Sequence, residues 1–507
     1  MFEASRPLAF LDYFRVPYQV RPARRTGSAR ARIPLHRLSV DDEAGRAGRA
    51  GRSLLWLDRA ADRADPPLAA PLGRYELRGS RFFGHVAPDA AIRAVLGDLE
   101  GDLGGDLGGD LGGEWRPVEP ILAADGRRMA SVWRGGDGSI LLPFDPGEVM
   151  ERFWSESYAV VGRSPLTAAA RKSLIRGYYL ARPVLPRPVQ LALRRGFSHI
   201  QGRSSFPSWP VEDSLHNLYR WLFEVLAGVA GQPVPYIGLW PEGRSWAFVL
   251  THDVETAEGY RDIELLRGME RDLRYRSSWN FVGFRYQVED AVVRALQDEG
   301  CEVGVHGLLH DGRDLGSRRL MEQRLPAMRQ FAGQWNAVGF RSPSTQRRWG
   351  WMPQLGFDYD SSYTDTDPYE PQPGGCCTYL PYFNQAMVEL PMTLPQDHTV
   401  FCVLEQAEPD IWLSKAKFLR DHQGMVLLVT HPDYARDGRV ADGYRKLLDT
   451  FRGDAAVWHA LPREVAGWWR DRAASTVRRE DGRWSIEGPA SSRGRVQFAA
   501  GPGGGQA

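Results

Sequence analysis

The 507-residue chain is predicted to be an α/β protein whose C-terminal half folds as a (β/α) barrel, an irregular one of seven strands, preceded by a smaller α/β domain and a helical connector. Three observations predict it. From residue 245 onward, short apolar runs alternate with amphipathic stretches of helical length, the pattern of parallel βα units. About seven such units follow one another, enough to close a sheet on itself. The polar residues of chemical interest fall at the ends of the apolar runs, where barrels of this kind gather reactive groups.

The elements follow in order. Residues 1–160 read as the small α/β domain. MASVWRGGDGSILLPFD gives two strands around a Gly-Gly-Asp-Gly turn, and a helix is expected from Pro146 to Tyr158. Inside this domain, residues 97–113 repeat a short Gly/Asp unit that cannot bury a core and should form a flexible surface loop. Residues 161–240 form the helical connector. It holds SPLTAAARKSLIRGYYLARP and a second helix in which Leu215, Leu218, Leu222 and Val225 share one face after a start at Asp213 and Ser214. The aromatic FPSWP before that helix reads as a packed entry segment. The barrel is placed at 241–475, with strands at SWAFVLT, SSWNFV, CEVGVHG, AVGFRSP, DYDSSY, MVELPMTL, MVLLVTHPDY and AVWHALP. Residues 476–507 are expected to be a minor tail with a Glu-Asp-Gly turn and one short strand, RWSIEG.

Composition narrows the function classes. Apolar residues make up 43% and charged residues 25%, ordinary for a globular protein. A formal charge of +1 argues against a surface that holds nucleic acid or anionic lipid by charge. Cys301, Cys376, Cys377 and Cys402 are too few and too clustered for a disulfide framework and lack zinc-site spacing, so reduced thiols are expected. The N-terminus lacks the basic start and apolar core of a signal peptide, and no window reaches the ~18 apolar residues of a membrane helix. The expected location is the cytoplasm, with no nucleic acid partner and no integral membrane segment. Oligomeric state is not legible.

Four strand ends carry chemistry. LTHDVE presents Asp253 and Glu255, which a strand period of two puts on one face. His252, between them and the strand, should face the other way in a structural role. VGVHGLLH presents His306 and His310, whose His-x-x-x-His spacing sets two imidazoles one helical turn apart. FRSP presents Arg341, and LVTHPDY presents His431. Each signal alone is weak, since strand-end carboxylates often cap helices and lone histidines are mostly structural. Together they supply a metal hydrolase: two imidazoles and one carboxylate as ligands, a second carboxylate as base, a separate imidazole as acid, and an arginine that keeps the base ionised. Either Asp253 or Glu255 could be the ligand. Trp349 and Trp351 follow the FRSP strand end, where they could stack on a sugar ring. His398 and His422 have no assigned partner.

In order, THDVE, HGLLH, FRSP, DYDSS and THP resemble the successive motifs of the polysaccharide deacetylase family, the NodB-type carbohydrate esterase superfamily, over about residues 245–470. The spaced Asp-Val-Glu and the His-Pro are closer to its intracellular, allantoinase-like branch. The resemblance implies that Asp253 is the base, Glu255, His306 and His310 hold a divalent metal, usually Zn2+, Arg341 orients Asp253 and His431 is the general acid. It also implies that Tyr359, Asp360 and Ser361 wall the substrate groove, with Trp349 and Trp351 beside them. The activity it implies is metal-dependent hydrolysis of non-peptide C–N amide bonds, N-deacetylation of an amino sugar or glycan precursor, on a carbohydrate or small amide substrate. Two alternatives stand beside it: an inactive glycan-binding or scaffold module, and a hydrolase of a small non-sugar amide.

Overall fold

A computed structural model describes residues 9–17, 35–39, 52–57, 72–101, 114–161, 196 and 206–499, with backbone only at 35–39, 95 and 97–101. The expected helix in SPLTAAARKSLIRGYYLARP and residues 102–113 of the Gly/Asp tract lie outside the described residues.

The chain opens with helix α1 (Ala9–Phe14). A seven-stranded sheet follows, built from β1 (Leu35–Ser39), β2 (Ser53–Leu57), β3 (Gly73–Leu77), β4 (Ser80–Gly84), β5 (Arg116–Ala123), β6 (Arg128–Arg134) and β7 (Ile140–Leu142) in the order β1-β2-β7-β6-β5-β3-β4. Helix α2 (Asp89–Gly101) takes up the first residues of the Gly/Asp tract. Helix α3 (Pro146–Trp154) starts where expected. Asp145 caps it by accepting from the backbone N–H groups of Gly147 and Glu148, and Pro146 supplies the fixed φ of a first helical residue. Helix α4 (Ser214–Ala230) buries Leu215, Leu218 and Leu222, with Val225 only half-buried, and ends at Gly231 in the left-handed region, φ 69°.

After the short strand β8 (Val234–Ile237), the second sheet forms from β9 (Trp246–Val254), β10 (Ser278–Phe281), β11 (Glu302–Val305), β12 (Gly339–Phe340), β13 (Tyr359–Asp360), β14 (Tyr382–Asn384), β15 (Met387–Glu389), β16 (Met425–Thr430) and β17 (Val457–His459). Its order is β14-β15-β13-β12-β11-β10-β9-β16, with β17 against the start of β9. Every pairing is parallel except β14 with β15. Helices intervene between most strands, among them Ile263–Leu273, Asp290–Asp298, Arg318–Trp335, Asp410–Asp421 and Gly438–Phe451. The nine residues of β9 are all buried, as a central strand covered on both faces must be. This sheet has nine strands rather than seven. The hairpin partner β14 was hidden in YLPYFN, and β12 and β13 shrink to two residues each. The sheet curls, and Thr393 and Leu394 N–H groups donate to Leu427 O across the gap between its two ends.

The two sheets are not separate bodies with separate interiors. One apolar cluster runs from Phe10 and Phe153 through Tyr219 and Trp240 to Trp246 and Val426. Segment 476–499 is also folded rather than loose. Thr476–Glu480 and Arg483–Glu487 form a hairpin (β18, β19), and β20 (Val496–Ala499) pairs antiparallel with β8. Arg472, near the end of the last barrel helix (Pro462–Ala473), is buried and donates to the carbonyls of Tyr13, Ile237 and Gly238. Cys301, Cys376, Cys377 and Cys402 are free thiols. Among the described residues, no helix is long and apolar enough to cross a membrane.

Candidate metal centre

The parallel register sets the C-terminal ends of β9, β10, β11 and β16 side by side, and the reactive groups stand there. Asp253, the last residue but one of β9, is 3% exposed. Its Oδ1 accepts from Arg341 Nη1 at 2.9 Å and from Asn280 Nδ2 at 2.8 Å, while Oδ2 lies 3.8 Å from His306 Nε2. Arg341 is itself fixed on every arm. Nε donates to Ser361 O, Nη2 to Ser361 Oγ and Nη1 also to Thr251 Oγ1, each at 2.8 Å. Burial alone would raise the Asp253 pKa. The charges of Arg341, His306 and His431 and the Asn280 bond outweigh it and hold the carboxyl at about 2.

The histidine pair does not sit on a helix. His306 follows β11, and a bend through Gly307 (φ 67°) and His310 (φ 50°) brings the two rings to 5.1 Å between centroids. Gly307 permits that bend. A Cβ there would meet Asp314 and Pro343 at 2.3 and 2.6 Å. The compact turn replaces the helical turn expected from the spacing, and it achieves the same convergence. Glu255 Oε1 lies 2.9 Å from His310 Nε2 and 3.8 Å from His306 Nε2. Burial opposes ionisation of Glu255, but the imidazole of His310 and contacts from His306 and His431 hold its carboxyl well below the usual range.

These three residues fit a divalent cation. Their ligand atoms lie within 4.8 Å of one another. His306 Nδ1 is 3.0 Å from Arg341 O, which can only accept, so Nδ1 carries the proton and Nε2 faces the site with its lone pair. The Nε2 atoms of His306 and His310 are buried and make no hydrogen bond, a cost that a cation at their common point would remove. Of the two carboxylates, Glu255 is the one grouped with both imidazoles at this distance, while Asp253 Oδ1 is taken by Arg341 and Asn280. One contact runs against this fit. Arg285 Nη1 lies 2.9 Å from His310 Nδ1, and a guanidinium has only donors, so Nδ1 must accept.

On the other side stands His431, after β16, with Nε2 3.5 Å from Glu255 Oε1. Asp397 holds it twice: Oδ1 is 2.6 Å from Nδ1, and Oδ2 accepts from the His431 backbone N–H at 2.7 Å. Burial favours the neutral ring, yet Asp397 and Glu255 outweigh it and push the pKa well above the ordinary value. The neighbouring carboxylates thus favour the charged form of the His431 ring. His252 faces away as expected, bonded to Glu270 and Thr430 at 2.8 Å each.

The structure thus brings together Asp253, Glu255, His306, His310, Arg341 and His431. The expected groove wall is different. Tyr359 is buried, and its hydroxyl donates to Glu302 at the opposite end of β11. Asp360 is buried against Ser362, and burial raises its pKa although hydrogen bonds from Glu389 and Ser362 oppose the shift. Ser361 holds Arg341 from behind. Trp349 stacks on Tyr382 and lines a cavity with Tyr13, Trp154 and Trp469 on the N-terminal flank, because the first domain packs against that edge of the sheet. Trp351 is half-buried, with the Arg348 guanidinium 5.9 Å over its ring. Sequence reasoning missed Asn280, Asp397, Thr251 and Arg285. For Asn280 a signal existed, a polar residue inside the apolar SSWNFV strand. For Asp397 there was none.

No family model matches the chain, and no curated protein matches it. Solved structures do. A Mycobacterium smegmatis protein assigned as a polysaccharide deacetylase matches with a TM-score of 0.38 and 20% identity, over 46% of this chain and 92% of that one. The Puue allantoinase matches with a TM-score of 0.39 and 16% identity, over 48% and 96%. A family 4 carbohydrate esterase from Streptomyces lividans, solved with acetate, matches with a TM-score of 0.29 and 14% identity, over 43% and 93%.

Proposed function

We propose that the C-terminal barrel is a metal-dependent hydrolase of non-peptide C–N amide bonds, of the polysaccharide deacetylase type, and that its substrate is an N-acetylated amino sugar or glycan precursor. The observation that carries this reading is the division of labour around one point. Glu255, His306 and His310 converge, Asp253 keeps one oxygen turned toward them, and His431 faces them from the other side. A divalent cation held by Glu255, His306 and His310, zinc being the ion that suits this donor set, would acidify a water and polarise the acyl oxygen. Asp253 is ionised at neutral pH, and Oδ2 is the atom positioned to take the proton from the attacking water. Arg341 and Asn280 fix that carboxylate through its other oxygen. His431 Nε2 gives its proton to the departing nitrogen, and Asp397 keeps the ring charged and aimed.

A second reading, hydrolysis of a small non-sugar amide, is favoured by enclosure. Asp253, His306, His310 and His431 are all buried, and Glu255 is the most open at 24%. Metal content by mass spectrometry tests both, on the wild type and on His306→Ala/His310→Ala. About one ion per chain is expected, absent from the double variant, followed by acetate release from N-acetylated sugars or ammonia release from small amides. A wild-type chain that takes up neither zinc, cobalt nor nickel would eliminate the hydrolase reading in favour of a binding module.

A further inference from the structure

We propose that Phe284 and Arg285 select a substrate that carries an anionic group, a carboxylate or a phosphate, beside the scissile amide. The location of that amide rests on the hydrolase reading above; the anion site does not. The loop after β10 is tied to the histidine segment by backbone bonds from Gly283 N–H to Gly307 O and from Phe284 N–H to Leu308 O. This sets Phe284 and Arg285 next to His310, at the mouth of the site. Phe284 is 59% exposed and Leu309, beside His310, is 42% exposed, an apolar rim where a soluble chain has little reason to keep one. Arg285 is exposed, and its contacts are Nη1 to His310 Nδ1 at 2.9 Å and to His310 O at 3.4 Å.

Two guanidinia of this region are paired with carboxylates. Arg341 has Asp253, and Arg324 has Asp311 and Asp314. Among the described residues Arg285 has no carboxylate within ion-pair distance, and its contact with His310 is a poor substitute. Ligation of a cation through His310 Nε2 would turn an N–H rather than a lone pair toward Arg285, leaving its fork to find an acceptor elsewhere. A planar fork beside an exposed aromatic ring matches a carboxylate or phosphate attached to a ring-shaped apolar body such as a pyranose face.

The test separates binding from turnover by using sugars that lack an amide. The full chain, zinc-loaded, is titrated calorimetrically with glucose, glucuronate and glucose 6-phosphate. The anionic sugars are expected to bind about tenfold more tightly than glucose, the gain of one charge-assisted fork. Arg285→Met should abolish the difference, Phe284→Ala should weaken all three alike, and Arg271→Met, an exposed arginine on the helix Ile263–Leu273, should change nothing. The tighter of the two anions names its source, carboxylate or phosphate. Equal affinities in the wild type, undetectable binding of all three, or a preference that survives Arg285→Met overturns the proposal. Acetate release from N-acetylglucosamine, run in parallel, reads the hydrolase assignment separately. Failure there with the anion preference intact removes that assignment alone.

Discussion

Two buried arginines six residues apart in the chain, Arg347 and Arg341, each hold a carboxylate, and they hold it differently. Arg347 takes both oxygens of Glu156, Nε to Oε2 at 2.9 Å and Nη2 to Oε1 at 2.5 Å, and so bolts the end of the first domain to the loop that follows FRSP. Arg341 takes only Oδ1 of Asp253 and spends its other arms on Ser361 and Thr251. A carboxylate with both oxygens engaged holds structure. A carboxylate with one oxygen left over, facing an imidazole, is available for chemistry. Charge is alike in the two pairs and both guanidinia are buried, so the oxygen that Asp253 keeps free is the feature that sets it apart from Glu156.

The largest expected effect falls on the second pair. Asp253→Asn keeps the shape and the Arg341 contact but removes the base, and the rate of amide hydrolysis should fall by about a hundredfold to ten-thousandfold while metal content stays at the wild-type level. A rate that survives would place the base elsewhere. The first pair should behave in the opposite way. Arg347→Met leaves the half-buried Glu156 carboxylate without its partner, and urea denaturation should show a loss of roughly 1–3 kcal/mol with the rate per folded chain unchanged. If the rate falls and stability holds, the leftover-oxygen criterion is wrong.

Two smaller effects involve pH. The His431 pKa is raised by Asp397, so the activity that needs a protonated donor should persist past neutrality and fall only as pH climbs through that raised value. Asp397→Asn removes the anion, and the alkaline limb of the pH–rate profile should move down toward the ordinary histidine range, about 6.5. The same ring contributes stability fully below ~6.5 that is lost as pH rises through the folded value. The Asp253 carboxyl has the opposite sign. Its stabilisation is present above ~4 and disappears as pH falls toward about 2, so acid unfolding should lose part of its slope in Asp253→Asn.

Much of this site was legible in the chain because each motif travels on a single strand end. Asp253 with Glu255, and His306 with His310, are local spacings, and a parallel sheet brings strand ends together whatever the loops do. The His pair shows the limit of that logic, since the spacing suggested a helix and a glycine bend delivers the convergence instead. Asp397 was not legible, because it reaches His431 across 34 residues from the start of an irregular helical turn, His398–Val403. The groove wall was misread for a related reason. DYDSSY reads as a strand, but β13 is only Tyr359–Asp360, and the side chains of Tyr359, Asp360 and Ser361 are claimed by Glu302, Ser362 and Arg341 in turn. The hairpin strand β14 was missed because its apolar and polar residues do not alternate, being buried or half-buried on both faces.

Arg472 has a consequence for synthesis. A ribosome delivers the chain from its N-terminus, so α1 and β8 emerge long before their acceptors are used. The carbonyls of Tyr13 and Ile237 receive their donor only when residue 472 arrives, and β8 gains its ladder partner only with residues 496–499. The fold is therefore fastened by segments made after the strands of the barrel. A barrel cut out at residues 241–475 would keep a buried guanidinium without the carbonyl of α1, and the C-terminal half is not a cassette that can be moved to another chain without α1 and β20.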